Sequence, residues 1–259
     1  MMRRILSKFG SKRQVDEFIS MNDQQEIMIN PIPYEPETDQ QQYIPEFYSH
    51  LKHRIVKVPE EIQQASGIRI LSKEIKSLLF TTDVALIKNT NAESVMAVYP
   101  FTPEFSIMQA ISTVAAMPVF MGVGGGTTSG ERSVKLAFQA EQLGAYGVVV
   151  NAPMGNEVIQ KIQNTVDIPV IGTISSAKDD FMGKYDAGVD IFNVSAAKDT
   201  AKIVSLIREK MGNEVPIIAT GGPTSESILE TIQAGANAIT YTPPTSAEIF
   251  AKIMQDYRQ

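Results

Sequence analysis

Asp83 stands directly after the apolar run 77–81, and parallel runs further along the chain end in Tyr99 and Asn151. If those runs lie side by side in one sheet, Asp83, Thr82, Tyr99 and Asn151 share an edge. A carboxylate beside a phenol and an amide can move a proton to or from a carbon acid. The same carboxylate also reads as a first-turn helix residue, capped by Thr81 or Thr82. Lys198 and Asp199 follow the run 191–195 and offer a cation and a second base. Asp83, Tyr99, Asn151 and Lys198 are the catalytic candidates.

A second group is suited to binding. The run 217–220 stops at Thr220-Gly221-Gly222 and gives way to Ser225-Glu226, a strand that meets a helix N-terminus and exposes backbone N–H groups to an anion. Gly-Gly also occurs where the backbone only needs to turn. The next run ends in Thr242-Pro243-Pro244-Thr245-Ser246, so Thr220, Gly221, Gly222, Thr242, Thr245 and Ser246 form an expected phosphate site. Pro243 and Pro244 each remove a donor from its second half. Gly124, Gly125, Gly126 and Thr127 make a loop that brings backbone close to a ligand or serves as a lid, and Asn193 and Ser195 end a neighbouring run.

Several chemistries are absent from the sequence. There is no cysteine, and the two histidines, His50 and His53, precede the periodic part of the chain, so neither a thiolate nucleophile nor a histidine-rich zinc site is expected. No paired carboxylates carry metal spacing. None of the apolar runs holds an interior lysine, which disfavours imine chemistry; Lys88 becomes the exception if 83–88 is a strand. A net charge of -6 and a pI near 5.1 argue against a nucleic-acid surface. No run of about eighteen apolar residues is present, and the basic N-terminus lacks the apolar segment of a secretion signal, so the expectation is a cytoplasmic protein with no membrane contact.

The elements that must position these residues follow from periodicity. Eight β-branched runs are expected as strands at 77–81, 95–99, 119–123, 147–151, 170–174, 191–195, 217–220 and 238–242. Helical patterns fill 83–89, 104–115, 131–143, 156–164, 179–186, 200–210, 226–233 and 247–257, the first of which also reads as strand. Pro118, Pro169 and Pro216 enter alternate strands at separations of 51 and 47 residues, and Gly144, Gly188 and Gly235 enter the others at 44 and 47. One period therefore holds two βα units. Eight such strands without a GxGxxG turn point to a closed (β/α)8, or TIM, barrel over residues 71–259. Residues 1–70 break the rhythm with a proline-punctuated stretch and short helical patterns at 11–19, 45–53 and 59–65, and are expected as an N-terminal arm or cap outside the main fold.

Phe80-Thr81-Thr82-Asp83, Ala97-Val98-Tyr99-Pro100-Phe101-Thr102-Pro103, Gly122-Val123-Gly124-Gly125-Gly126, Val149-Val150-Asn151-Ala152-Pro153, Ala219-Thr220-Gly221-Gly222-Pro223 and Tyr241-Thr242-Pro243-Pro244-Thr245 together resemble a bacterial barrel family whose members are commonly labelled hydrolases. The last four strands are more distantly similar to the phosphate-binding barrels: N-acetylmannosamine-6-phosphate epimerases, thiamine-phosphate synthases and the histidine and tryptophan biosynthetic isomerases. That similarity implies a phosphorylated ligand on Gly221 and Gly222. The expectation is an isomerase, epimerase or lyase acting on a small phosphorylated metabolite. Hydrolysis, an FMN-dependent oxidation and ligand binding without turnover stay open. No cofactor is required by the sequence, and the arm leaves a homo-oligomer open.

Overall fold

The computed structural model describes residues 55–258. The helical patterns at 11–19 and 45–53, the proline-punctuated stretch, the basic N-terminus and both histidines lie outside the described residues.

The eight expected strands form a closed parallel barrel: β1 Ser77–Phe80, β2 Ser94–Ala97, β3 Val119–Gly124, β4 Gly147–Val150, β5 Val170–Ile174, β6 Ile191–Val194, β7 Ile217–Thr220 and β8 Ala238–Tyr241. Each is followed by its helix: α1 Val84–Lys88, α2 Phe105–Val114, α3 Glu131–Gln142, α4 Asn156–Thr165, α5 Phe181–Asp186, α6 Thr200–Met211, α7 Ser225–Gln233 and α8 Ser246–Asp256. The ambiguous segment after Asp83 is helical, so Lys88 is not a barrel-strand lysine. β1, β2, β4, β6 and β8 end one or two residues earlier than the apolar runs, because polar residues such as Thr81 and Tyr99 leave the ladder to turn at the rim; β5 and β7 end where expected and β3 runs one residue further, to Gly124.

The sequence punctuation has a direct structural cause. Pro118, Pro169 and Pro216 donate nothing, but their carbonyls accept the N–H groups of Val95, Val148 and Phe192 at 2.9, 3.0 and 3.0 Å, so each proline starts a ladder from its acceptor side. Gly144, Gly188 and Gly235 take φ values of 81°, 110° and 109° just past the ends of α3, α5 and α7, the left-handed turn in which a Cβ is strained.

Two apolar shells result. Outward-facing residues such as Phe192, Val150 and Ile217 pack with the helices, while Leu78, Met96, Phe120, Val149, Ile171 and Ile218 fill the barrel. Residues 59–65, expected outside the main fold, differ: Glu60–Gln64 form a 3-10 turn whose Ile62 is fully buried in the outer shell. A β-hairpin, Ile68–Ile70 paired with Lys73–Ile75, inserts Ile68, Ile70 and Ile75 into the interior cluster. It closes the N-terminal end, so a ligand has the other end to enter.

The pairing registers sort the interior into levels contributed by alternate strands. Leu78, Phe120, Ile171 and Ile218 make one level. Met96, Val149, Asn193 and Thr240 make the next, and Phe80, Gly122, Thr173 and Thr220 the level below the mouth. Branched apolar residues normally fill these levels. Here β1–β4 keep an apolar or glycine lining, and β5–β8 turn polar.

Candidate active site

At the β1 corner, Asp83 is the N-cap of α1. Its Oδ1 accepts the N–H groups of Ala85 at 2.8 Å and Leu86 at 3.3 Å, the arrangement that satisfies orphan donors of a first helical turn. Its Oδ2 accepts the Ser246 hydroxyl at 2.5 Å. The Ser246 hydrogen bond, with lesser help from the two backbone donors and against some desolvation, holds the carboxyl below its usual range. Such a carboxylate is stably ionised and weakly basic.

The β8 corner is equally engaged. Thr245 caps α8, and the Glu248 carboxylate accepts from the Thr245 N–H at 2.7 Å and its hydroxyl at 2.8 Å. These two bonds, the backbone one first, lower the Glu248 pKa. The Thr245 and Ser246 hydroxyls, expected to meet phosphate, thus already serve Glu248 and Asp83, and two carboxylates stand where the second half of that site was expected.

A cleft of about 270 Å³ opens between β2, β3 and β4. Tyr99, Gly124, Gly125, Thr127 and Asn151 meet there, with Val98 and Gly122 at its base and Phe101 at its lip. No charged residue is among the described residues that line it. The Tyr99 hydroxyl oxygen accepts the Glu104 N–H at 2.8 Å, and thereby covers the start of α2, whose N-cap Glu104 makes no side-chain cap. With its oxygen fixed by a backbone donor, the phenolic proton remains available to a ligand. Burial, the larger effect, raises the Tyr99 pKa, so the group is a protonated donor at neutral pH.

The glycine loop is shaped by contact. Gly124, Gly125 and Gly126 have φ values of 128°, 110° and 119°. A Cβ on Gly125 would lie 2.7 to 2.8 Å from the backbone N, Cβ and backbone O of Asn151, whereas one on Gly126 meets nothing within 4 Å. Gly125 therefore lets the β3 loop rest on the β4 end, and this apposition brings Asn151 to the cleft. The Asn151 side-chain amide has no hydrogen bond among the described residues.

On the opposite side, Asp179 draws in the β5 loop by accepting from Ser175 N–H and hydroxyl at 2.7 and 3.1 Å and from Ser176 N–H at 3.2 Å. Lys198 lies on the exposed 3-10 turn Ala197–Asp199, away from the cleft lining. Ser195 is exposed at the rim, and Asn193 lies below it inside the barrel, 7% exposed, with its Nδ2 at 3.3 Å from Thr173 Oγ1. Gly221 is buried against Ile239 and Ile228, and its N–H reaches the Thr240 carbonyl at 3.3 Å. Gly222, exposed at φ 79°, leads to α7, where Thr224 and Ser227 form a reciprocal cap. That cap leaves the N–H groups of Ser225 and Glu226 directed out of the helix end, although the Glu61 carboxylate is hydrogen-bonded to the Ser225 side chain and is lowered by it.

The structure thus gathers Tyr99, Asn151, Gly124, Gly125 and Thr127 in one cleft and sets Asp83 with Ser246, Thr245 and Thr242 at another corner of the rim. Three features escaped sequence reasoning. Thr128, read from the sequence only as part of the rim loop 124–129, lines the cleft and is buried at 6% exposure. Lys184 of α5, 5% exposed, donates to the Ala152 carbonyl at 2.8 Å and so braces the residue after Asn151; burial lowers its pKa. Thr240 is an interior residue, which the period-2 series Ala238, Thr240, Thr242 would have revealed. Among the described residues no group of three or more His, Cys, Asp or Glu side chains is placed to hold a metal ion, and no helix is long and apolar enough to cross a membrane.

No protein-family model and no curated protein matches the chain. Solved structures do. An oxaloacetate acetylhydrolase has a TM-score of 0.55 and 11% identity, covering 70% of this chain and 80% of the other. The phosphoenolpyruvate phosphomutase from Streptomyces platensis subsp. rosaceus has a TM-score of 0.52 and 12% identity over 70% and 80%. A phosphonopyruvate hydrolase, in complex with oxalate and magnesium, has a TM-score of 0.50 and 13% identity over 70% and 82%. At such identities the likeness establishes the barrel architecture and no more.

Proposed function

We propose that this chain is an enzyme acting on a small phosphorylated metabolite at the C-terminal mouth of the barrel, by isomerisation, epimerisation or bond cleavage next to a carbonyl. The observation that carries the reading is the Tyr99 hydroxyl: its oxygen is anchored by the Glu104 N–H, its proton is free, and it lines an uncharged cleft with Asn151. A positioned neutral donor of this kind stabilises negative charge developing on a carbonyl oxygen. Asn151 orients that carbonyl. The Gly222, Ser225 and Glu226 N–H groups receive the phosphoryl end, and Lys198 on the rim draws the anion in. Asp83, engaged at both oxygens, holds the α1 and α8 corner and is the candidate base only when Ser246 lets go. Solved barrels that act on phosphorylated or carboxylate compounds, among them the phosphomutase, are compatible with this substrate class.

The test is proton exchange. Incubated in D2O with a panel of aldose and ketose phosphates, the enzyme incorporates deuterium next to the carbonyl of one of them, and Tyr99→Phe slows that exchange by about a hundredfold or more. Full exchange by Tyr99→Phe contradicts the assignment. Release of inorganic phosphate without exchange marks a hydrolase, and a yellow protein that yields flavin on denaturation marks an FMN enzyme.

A second reading, ligand binding without turnover, is favoured by one observation: no carboxylate, histidine, lysine or arginine is among the described residues that line the cleft. Saturable binding with no exchange and no product supports it.

A further inference from the structure

We infer that the polar half of the barrel interior, Thr173, Asn193, Thr220 and Thr240 on β5–β8, is a hydroxyl-recognition subsite, and that the ligand of the mouth is a polyol phosphate of the sugar type rather than a short keto acid. The inference rests on the reading of the mouth as a metabolite site and adds the substrate class.

These four residues occupy two successive levels on four adjacent strands. Thr173 pairs with Asn193 across β5 and β6, and Thr220 with Thr240 across β7 and β8. Thr173 and Thr220, in the upper level, are partly exposed. Asn193 and Thr240, one level deeper, are 7% and 4% exposed. Their Asn193 Oδ1 and Thr240 Oγ1 atoms are buried and find no hydrogen-bond partner among the described residues. Buried polar atoms are nearly always matched, and apolar residues at both positions would have matched the Met96 and Val149 that share their level.

The geometry also limits what can match them. Asn193 uses one end of its amide on the Thr173 hydroxyl at 3.3 Å. Because that hydroxyl both donates and accepts, it can serve either end of the amide, and the opposite end is left over in both orientations. A ligand hydroxyl, likewise donor and acceptor, fits either remainder and fits the Thr240 hydroxyl too. A carboxylate accepts only, and calls for cations or several donors. None of the four residues carries charge, and no charged residue is among the described residues that line the cleft. Gly122, at the level of Thr173 and Thr220, adds no side chain to that level and also lines the cleft.

Thermal shift and titration calorimetry on the full chain test this with ribose 5-phosphate, glucose 6-phosphate, free ribose, inorganic phosphate, pyruvate and oxalate as probes, on the wild type, Thr240→Val and Asn193→Leu. A sugar phosphate is expected to give the largest stabilisation. Thr240→Val, which conserves shape, is expected to keep or raise the ligand-free melting temperature and to weaken sugar phosphate binding at least tenfold, with Asn193→Leu agreeing. A lower ligand-free melting temperature in Thr240→Val means the hydroxyl is matched within the protein and overturns the subsite. Wild-type affinity in both variants overturns it too. Pyruvate or oxalate binding as strongly as the sugar phosphates overturns the substrate class while leaving a metabolite site at the mouth. If free ribose binds and the variants lose it, but added phosphate contributes nothing, the subsite stands and the phosphorylated-metabolite reading falls. No response to any polyol overturns the inference.

Discussion

The Asp83 carboxylate accepts the Ser246 hydroxyl across 163 residues of sequence and so fastens the first βα corner of the barrel to the last. The barrel closes at this seam, where β8 pairs with β1.

Loss of that carboxylate should be felt in stability before it is felt in chemistry. Asp83→Ala removes an N-cap and the seam bond and is expected to cost about 1 to 2 kcal/mol, while Asp83→Asn, which can still cap, costs less. Both are read as denaturant midpoints. The folded pKa of Asp83 lies below its unfolded value, so its stabilisation is complete above the ordinary carboxylate range and is lost as pH falls through the folded value. The wild type should therefore lose more stability between neutral pH and about pH 3 than Asp83→Asn does.

Gly125 and Gly126 separate packing from backbone strain. Both have positive φ, so alanine at either is expected to cost about 1 to 2 kcal/mol. Only at Gly125 does the new methyl meet the Asn151 backbone, which adds about 1 to 3 kcal/mol of overpacking and moves Asn151. Gly125→Ala should show the larger fall in melting temperature and lose ligand response; Gly126→Ala should keep the response.

The barrel was legible in the sequence because its signals are local. Pro118, Pro169 and Pro216 mark strand entries by what a proline carbonyl can still accept, and Gly144, Gly188 and Gly235 mark helix ends by their φ. The glycine loop and Tyr99 were legible as rim residues for the same reason. What a side chain bonds to was not. Nothing near Asp83 in sequence announces Ser246, and nothing in the Thr245-Ser246 pair shows that Glu248 and Asp83 already hold them. The inward direction of Thr240 follows from period 2, but the level it shares with Asn193 depends on register around eight strands, which one-dimensional pattern does not encode.

Arg208 offers a control far from the mouth. Its guanidinium donates to the carbonyls of Gly235, Gly212 and Val215 and to Asn237 Oδ1 at 2.9, 3.0, 2.6 and 2.7 Å, tying the end of α6 to the entries of β7 and β8. Burial lowers its pKa. Arg208→Met removes these bonds, although Asn237 Oδ1 keeps the Ile217 N–H at 2.9 Å, and is expected to cost roughly 2 to 4 kcal/mol, given about 1.5 to 3 kcal/mol for a single charge-assisted bond. Ligand affinity measured well below the melting temperature should not change.

Tyr99→Phe makes the opposite demand. The Glu104 N–H is partly exposed to water, so its loss of a partner should cost no more than about 1.5 kcal/mol, whereas turnover should collapse. A large stability loss with unchanged turnover would make Tyr99 a structural cap alone.

The central claim, a small phosphorylated ligand at the C-terminal mouth, is tested most directly by a crystal structure grown with the sugar phosphate that most raises the melting temperature. Density is expected in the cleft beside Tyr99, Asn151 and Gly125, with the phosphoryl oxygens on the Gly222, Ser225 and Glu226 N–H groups. Density in the groove between α1 and α8, where Phe250 and Tyr257 are exposed, with the mouth empty, would contradict it.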